Sequence, residues 1–392
     1  MNTAPPRTGP ELDASRELED SPWRRRVISA LRLAQFLAAL YVFLLSVTLI
    51  GGGFKLFGKS FAETLVSSTS NPFIGLFVGV LATSVVQSSS ATTSMVVCMV
   101  AAGTLSVRNA VPIIMGANIG TTVTNTLVSL GHITRKDEFG RAFPAAVVHD
   151  FFNLLAVAIL LPVELATHYL ERSAGFLSAK LWGAGGIEFK SPLKAILKPV
   201  SKCLLGTFKD MLPKTGAGVL AVVLGVGLLF GSLWFMTKIM RRVMTGRIEG
   251  ALDRTLGRAP ILGLIFGIVV TAVVQSSSAT TSVLVPLTAA GILTVEQVFP
   301  ITLGANIGTT ITAILAALAV GPVGLTIALA HLLFNITGIL LIYTYGPIRR
   351  IPIALAHRMG RLAAESKRYA FLYVVGTFFL APGILVCVWR LF

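Results

Sequence analysis

The chain has 392 residues, 54% of them apolar and only 13% charged, with a mean hydropathy of +0.80. Several apolar runs approach the ~20 residues that a bilayer span needs, which excludes a soluble globular protein and gives an all-α polytopic membrane protein with the lipid bilayer as its first partner. The net charge of +16 would suit nucleic acid, but its Arg and Lys residues lie mostly between apolar runs, where they set topology and meet lipid, so no nucleic-acid partner is expected.

Residues 1–26 read as a polar, Pro-containing cytoplasmic tail ending in Trp23-Arg24-Arg25-Arg26. That basic cluster precedes an apolar run from Ala30 to Ile50, as for a first span with its N-terminus inside, and Gly51 to Asn71 reads as a connection. Phe73 to Ala102 is apolar throughout except at its centre, Gln87-Ser88-Ser89-Ser90-Ala91-Thr92-Thr93-Ser94. A straight helix of that length would be about 45 Å long, too long for a ~30 Å core, whereas each half alone is too short to cross. Three consecutive serines would also fan about 100° apart on an intact helix. Interrupting the helix there brings the hydroxyls together and frees backbone groups around them, which gives a re-entrant hairpin over 73–102. Spans follow at Val111–Leu130 and Phe143–Val163, separated by a basic turn (Arg135, Lys136, Arg141) and completing a first unit over 27–163.

Residues 164–215 read as an external loop, with Pro192–Met211 able to lie amphipathically on the surface. The second unit, 216–345, contains spans at Gly216–Met240, Val298–Val320 and Gly324–Tyr345 and a hairpin over 261–292. Its Gln275 to Ser282 repeats Gln87 to Ser94 letter for letter, 188 residues later (275 − 87). Gly75, Gly79 and Thr83 recur as Gly263, Gly267 and Thr271 at the same spacing, and Gly116 to Thr122 recurs as Gly304 to Thr310. The pattern His149-x-x-Phe-Asn153 returns as His331-x-x-Phe-Asn335 after 182 residues (331 − 149). Each unit crosses an odd number of times, so the second enters the membrane upside down, the mark of an inverted-repeat secondary transporter with its site between the halves. The basic clusters Arg24–Arg26, Arg135–Arg141, Arg241–Arg258 and Arg349–Arg368 then share one side, the cytoplasm. A basic cytoplasmic segment (346–368) leads to a peripheral C-terminal span (369–392) with no counterpart in the repeat.

Hydroxyl and amide oxygens suit a small hard cation, while O–H, N–H and half-helix N-termini suit an oxyanion. No Lys or Arg lies within either hairpin, so a bound anion must draw its countercharge from co-bound cations and helix dipoles, which points to sodium symport. A serine patch can also merely bond back to its helix, and the Gly116-x-x-x-Gly120 and Gly304-x-x-x-Gly308 spacings can merely pack helices, but an eight-residue duplication argues for use. Asp150 is the one carboxylate well inside an expected span; Leu332 holds its place in the second unit. An unpaired Asp there is costly, and it would suit an extra cation. His149, Asn153, His331 and Asn335 read as interhelical hydrogen-bonding groups. The rival readings are a sodium-coupled carrier of another small oxyanion, a passive channel, and an intramembrane serine hydrolase with Ser89 or Ser277 as nucleophile and His149 or His331 as base.

The paired Gln-Ser-Ser-Ser motifs, Gly116-Ala-Asn-Ile-Gly-Thr-Thr-Val-Thr-Asn125 and Val148-His-Asp-Phe-Phe-Asn153 closely resemble the type II sodium-dependent phosphate cotransporters. The resemblance implies symport of inorganic phosphate, mainly divalent, with sodium as the co-transported ion and no cofactor or enzymatic activity. It puts the two Gln-Ser-Ser-Ser regions in the substrate pathway, and the candidate phosphate ligands are Ser88, Ser89, Ser90, Asn118, Ser276, Ser277, Ser278 and Asn306. Gln87, Thr92, Thr122, Asp150, Gln275, Thr280, Thr309 and Thr310 then fall to sodium. In that family an Asp at the position of Asp150 goes with electrogenic transport and a further sodium. Divalent phosphate and ionised Asp150 would need about three sodium ions for neutrality. Ala-Thr-Thr-Ser follows the first motif where the animal proteins have Thr-Ser-Thr-Ser, and the external loop is short, as for a bacterial member in the cell membrane. The sequence is compatible with a homodimer.

Overall fold

In a computed structural model of the chain, the described residues are 22–58, 63, 70–183, 192–255 and 259–389; they form helices and turns, with no strand among them. Most of the expected tail, and the side chains of the cluster from Arg241 to Arg258, lie outside that description. Seven helical segments among the described residues are long and apolar enough to cross a bilayer: Arg26–Leu56, Val107–Leu130, Lys136–Thr167, Lys214–Met240, Val295–Val320, Pro322–Tyr343 and Lys367–Trp389. The fold is that of an all-α polytopic membrane protein.

Helix α1 (Pro22–Leu56) runs through Gly51, where the sequence suggested that a connection begins. The glycines there serve close packing instead, against what becomes α9 (Lys214–Thr255). A Cβ on Gly53 would fall 2.9 Å from the Gly218 carbonyl oxygen, and one on Gly225 would fall 3.2 Å from the Ser46 carbonyl oxygen. Contacts descend along one helix as they climb the other, so α1 and α9 are antiparallel.

Helix α2 (Pro72–Val86) starts at Asn71, whose side-chain oxygen accepts the Phe73 amide at 2.8 Å, with Pro72 at the first helical position. It stops at Gln87, and α3 (Ser89–Ala102) begins two residues later. Helix α4 (Val107–Gly120), capped by Ser106, then packs back on α2 through glycine. A Cβ on Gly79 would lie 2.1 Å from the Ile113 carbonyl oxygen, and one on Gly120 would lie 2.6 Å from that of Val80. These contacts advance together along both helices, so α2 and α4 are parallel. Two parallel helices with a single helix between them require that helix to bring the chain back. At 1.5 Å per residue each arm is about 22 Å long, short of a ~30 Å core.

After the short α5 (Val123–Leu130) and the long α6 (Lys136–Thr167), the expected loop 164–215 is instead mostly helix, α7 (Tyr169–Gly183) and α8 (Pro192–Met211). Buried Glu164 makes the turn into α7, its carboxylate accepting the Leu170 and Glu171 amides at 2.5 and 3.1 Å. Leu170 and Ala174 are buried, and Ser178 donates to the Pro322 carbonyl at 2.9 Å. Charges close to this apolar face hide it from a hydropathy reading.

The second unit repeats the arrangement. Helices α10 (Pro260–Val274), α11 (Ser277–Ala289) and α12 (Val295–Val320) correspond to α2, α3 and α4–α5. A Cβ on Gly267 would sit 2.1 Å from the Ile301 carbonyl oxygen, and one on Gly304 would sit 2.0 Å from that of Leu264. Helix α13 (Pro322–Gly338) closes in a π turn, Ile339–Tyr343. The basic segment is α14 (Gly346–Glu365), seated on α6 where Gly360 meets Pro144. The C-terminal span is α15 (Lys367–Val375), a π turn (Gly376–Leu380) and α16 (Ala381–Trp389). Its exposed Phe371, Leu372 and Ile384 suit a lipid-facing position.

Candidate functional site

Both breaks have the same local structure. Gln87 and Gln275 end their helices in the left-handed region, at φ 54° and 60°. Ser88 and Ser276 are extended, and each hydroxyl caps the following helix by accepting the Ala91 or Ala279 amide at 3.2 Å. Ser89 and Ser277 then open α3 and α11, and both are buried. Two helix N-termini, whose first amides have no partner within the helix, are thus set among hydroxyls.

The two breaks meet. The Ser90 Oγ lies 3.5 Å from the Gln275 carbonyl oxygen, at the long limit of a hydrogen bond, and Thr281 donates to the Asn125 side chain at 2.8 Å. Ser278 is half-buried beside the second break. Among the expected cation ligands, Thr92 donates to the Ser88 carbonyl (3.1 Å), Thr280 to that of Ser276 (3.2 Å), Thr122 to Ile119 (2.7 Å), Thr309 to Ala305 (3.0 Å) and Thr310 to Ile307 (2.7 Å). A threonine that gives its proton to its own helix keeps its oxygen lone pairs, the part a cation needs.

The glutamines break the symmetry. Gln275 is 5% exposed, accepts Thr312 at 2.8 Å and donates to the Ala272 carbonyl, whereas Gln87 is exposed. Thr124, which stands where Thr312 stands in the other half, has a buried hydroxyl with no partner among the described residues.

Asn118 and Asn306, expected at the anion, lie in a wholly buried cluster between the halves. Asn118 Nδ2 donates to Asn335 Oδ1 at 2.6 Å, and Asn306 Nδ2 to Asn153 Oδ1 at 2.9 Å. His331 Nε2 meets Asn118 Oδ1 at 3.1 Å, and His149 Nε2 meets Asn306 Oδ1 at 2.5 Å. Each amide oxygen here is an acceptor, so both imidazoles carry their proton on Nε2. These four contacts form two mirrored pairs, the relation that a two-fold axis imposes, while the long bond from Asn118 Nδ2 to Asn153 Oδ1, 3.5 Å, has no counterpart. The four residues read from the sequence as interhelical do bond across helices, and they take up the amides of Asn118 and Asn306. Each histidine's Nε2 pairs with an asparagine, not a serine.

Asp150 is buried on α6. Its Oδ2 accepts the Tyr373 hydroxyl at 3.1 Å, and its Oδ1 has no partner among the described residues. The Thr122 hydroxyl lies against the same carboxylate. No basic side chain pairs with Asp150 among the described residues. Sequence reading missed Tyr373 and Thr312 and gave Asn125 no role; the first sits in a span with no repeat signal, and the other two sit just beyond the duplicated letters. An apolar cavity of about 690 Å³ lies between α2, α6 and the C-terminal span, lined by Leu76, Val80, Leu154 and Leu161 among others. Apart from Thr377, its lining is apolar.

The Na+/Pi-cotransporter family model matches residues 42–176 and 204–355. Sodium-dependent phosphate transport protein 2B of Pongo abelii and that of Homo sapiens are each 35% identical over 456 residues, which cover 92% of this chain and 66% of theirs. Sodium-dependent phosphate transport protein 2A of Oryctolagus cuniculus is 33% identical over 446 residues, 94% of this chain and 69% of that protein. The chain thus spans about two thirds of the length of these relatives. No solved structure matches. With a family match over most of the chain and a duplicated site that fits an oxyanion and hard cations, the chain belongs to the Na+/Pi-cotransporter family.

Proposed function

We propose that the chain brings inorganic phosphate into the cell by symport with sodium, with divalent phosphate as the substrate and net inward movement of positive charge. The observation that carries this is the meeting of the two duplicated breaks, Ser90 of one against Gln275 of the other, each at a helix N-terminus that favours an anion. Hydroxyl oxygens and the carboxylate of Asp150 supply cation ligands in a region without Lys or Arg. The relatives' names, as sodium-dependent phosphate transport proteins, support the same substrate pair.

The two repeats, 27–163 and 216–345, run through the membrane in opposite senses. The antiparallel packing of α1 on its counterpart α9 supports this, as do the mirrored contacts of the asparagine cluster. The parallel packing of α2 on α4 supports a re-entrant hairpin in each repeat. The chain sits in the cell membrane with its N-terminus in the cytoplasm, on the side of the basic clusters. Ser88 to Ser90 and Ser276 to Ser278 hold the anion, while Gln87, Thr92, Thr122, Asp150, Gln275, Thr280, Thr309 and Thr310 serve sodium. Labelled phosphate uptake into proteoliposomes should exceed equilibrium only under an inward sodium gradient. Uptake indifferent to sodium would refute the reading, and competition by sulfate or a dicarboxylate as strong as that by phosphate would move it to another oxyanion.

A further inference from the structure

Asp150 lies on α6, but its hydrogen-bond donor comes from outside both repeats. Tyr373 belongs to the C-terminal span and lies beyond residue 355, where the family match ends. Its hydroxyl donates to Asp150 Oδ2 at 3.1 Å. The ring is held by Phe143 and Phe151 of α6, with centroids 6.3 and 5.8 Å away, and by Phe378 of the π turn at 6.2 Å. Two of these rings share a helix with Asp150, so tyrosine and carboxylate are fixed to one frame. Packing, as much as the hydrogen bond, sets where the hydroxyl points.

A carboxylate buried in low dielectric needs a donor or a cation at its oxygens. Oδ2 has the tyrosine; Oδ1 is buried without a partner among the described residues, with the Thr122 hydroxyl close to the carboxylate. The geometry points to Tyr373 as a positioning residue for the cation at Asp150: its O–H holds Oδ2, stops the carboxylate from turning, and presents Oδ1 together with the Thr122 oxygen to sodium. This rests on the sodium-symport reading above. The C-terminal span is then more than a lipid-facing flank. Its π turn, which supplies Phe378, fits the frequent use of such turns at functional sites.

Tyr373→Phe removes the hydroxyl and keeps the ring with its three aromatic contacts, so the packing of the span is kept. Binding of radioactive sodium to the purified protein, read without transport, should show a half-saturating concentration raised ~5-fold, the order expected from losing a hydrogen bond to a charged group. In proteoliposomes the half-saturating phosphate at saturating sodium should stay as in the wild type, a split that general loosening of the fold would not give. In an Asp150→Gly background, Tyr373→Phe should change sodium binding no further. Unchanged sodium affinity in the single variant, or an equal shift in the Asp150→Gly background, overturns the assignment. Because the binding arm does not use phosphate, a wild type that bound sodium yet failed to carry phosphate would count against the symport reading alone.

Discussion

Single residues divide into those that face the cargo and those that hold the halves together. On the proposed symport, Asp150 is of the first kind. With divalent phosphate it would bring the buried charge to about −3, which about three sodium ions would offset, and the translocated complex plus the returning carboxylate would leave net positive charge moved inward. We expect Asp150→Gly to transport phosphate with one sodium fewer and no current; equal phosphate-induced currents in liposomes holding wild type and variant would refute this. Asn306 is of the second kind. Asn306→Ala leaves the buried His149 Nε2–H without an acceptor and Asn153 Oδ1 with only the long bond from Asn118 Nδ2, 3.5 Å. An orphaned buried donor costs about 1–3 kcal/mol, and the loss of stability should be of that size, seen as a lower unfolding temperature in detergent. A raised KM for phosphate with unchanged stability would return Asn306 to the anion. The sequence could not separate these roles, since an amide suits both an oxyanion and another amide, and only the partner decides.

At the level of elements, the repeated glycines turn out to be the contact that sets each hairpin against the following span. A Cβ on Gly116 would stand 1.9 Å from the Leu76 carbonyl oxygen, and one on Gly304 would stand 2.0 Å from that of Leu264, both backbone atoms that cannot step aside. Gly116→Ala or Gly304→Ala must therefore push α2 from α4, or α10 from α12, and displace the serine break at the far end of the hairpin. We expect either variant to lose most uptake and to melt lower. Wild-type uptake by both would show that the parallel packing does not hold the breaks. The breaks themselves were legible in the sequence, because three consecutive serines cannot share one helix face and a 30-residue apolar run cannot be one span. The glycine spacing was legible too, but only as packing of unspecified partners. Helix α7 was not, since charges crowd its short apolar face, and neither was the role of the C-terminal span, which has no second copy to compare with.

For the whole molecule, the two copies of the repeated break sit in unlike surroundings. The second break is closed: Gln275 is buried and bonded to Thr312, and its carbonyl meets Ser90. The first is open: Gln87 is exposed, and the Thr124 hydroxyl in the equivalent place is buried with no partner among the described residues. A buried hydroxyl without a partner costs about 1–3 kcal/mol, so a state in which Gln87 folds onto Thr124 has something to gain. If the halves exchange these arrangements during turnover, Gln87 would bond Thr124 as Gln275 is released, and the site would open to the other side of the membrane. Cysteine in place of either glutamine, in a chain with Cys98, Cys203 and Cys387 replaced, reads this directly with a membrane-impermeant thiol reagent. Cysteine at 87 should label from one side of sealed vesicles and cysteine at 275 from the other. Saturating sodium and phosphate should change the two rates in opposite directions. Labelling of both from one side, or rates that rise and fall together, would mean that the difference between the halves is fixed and not the two ends of a cycle.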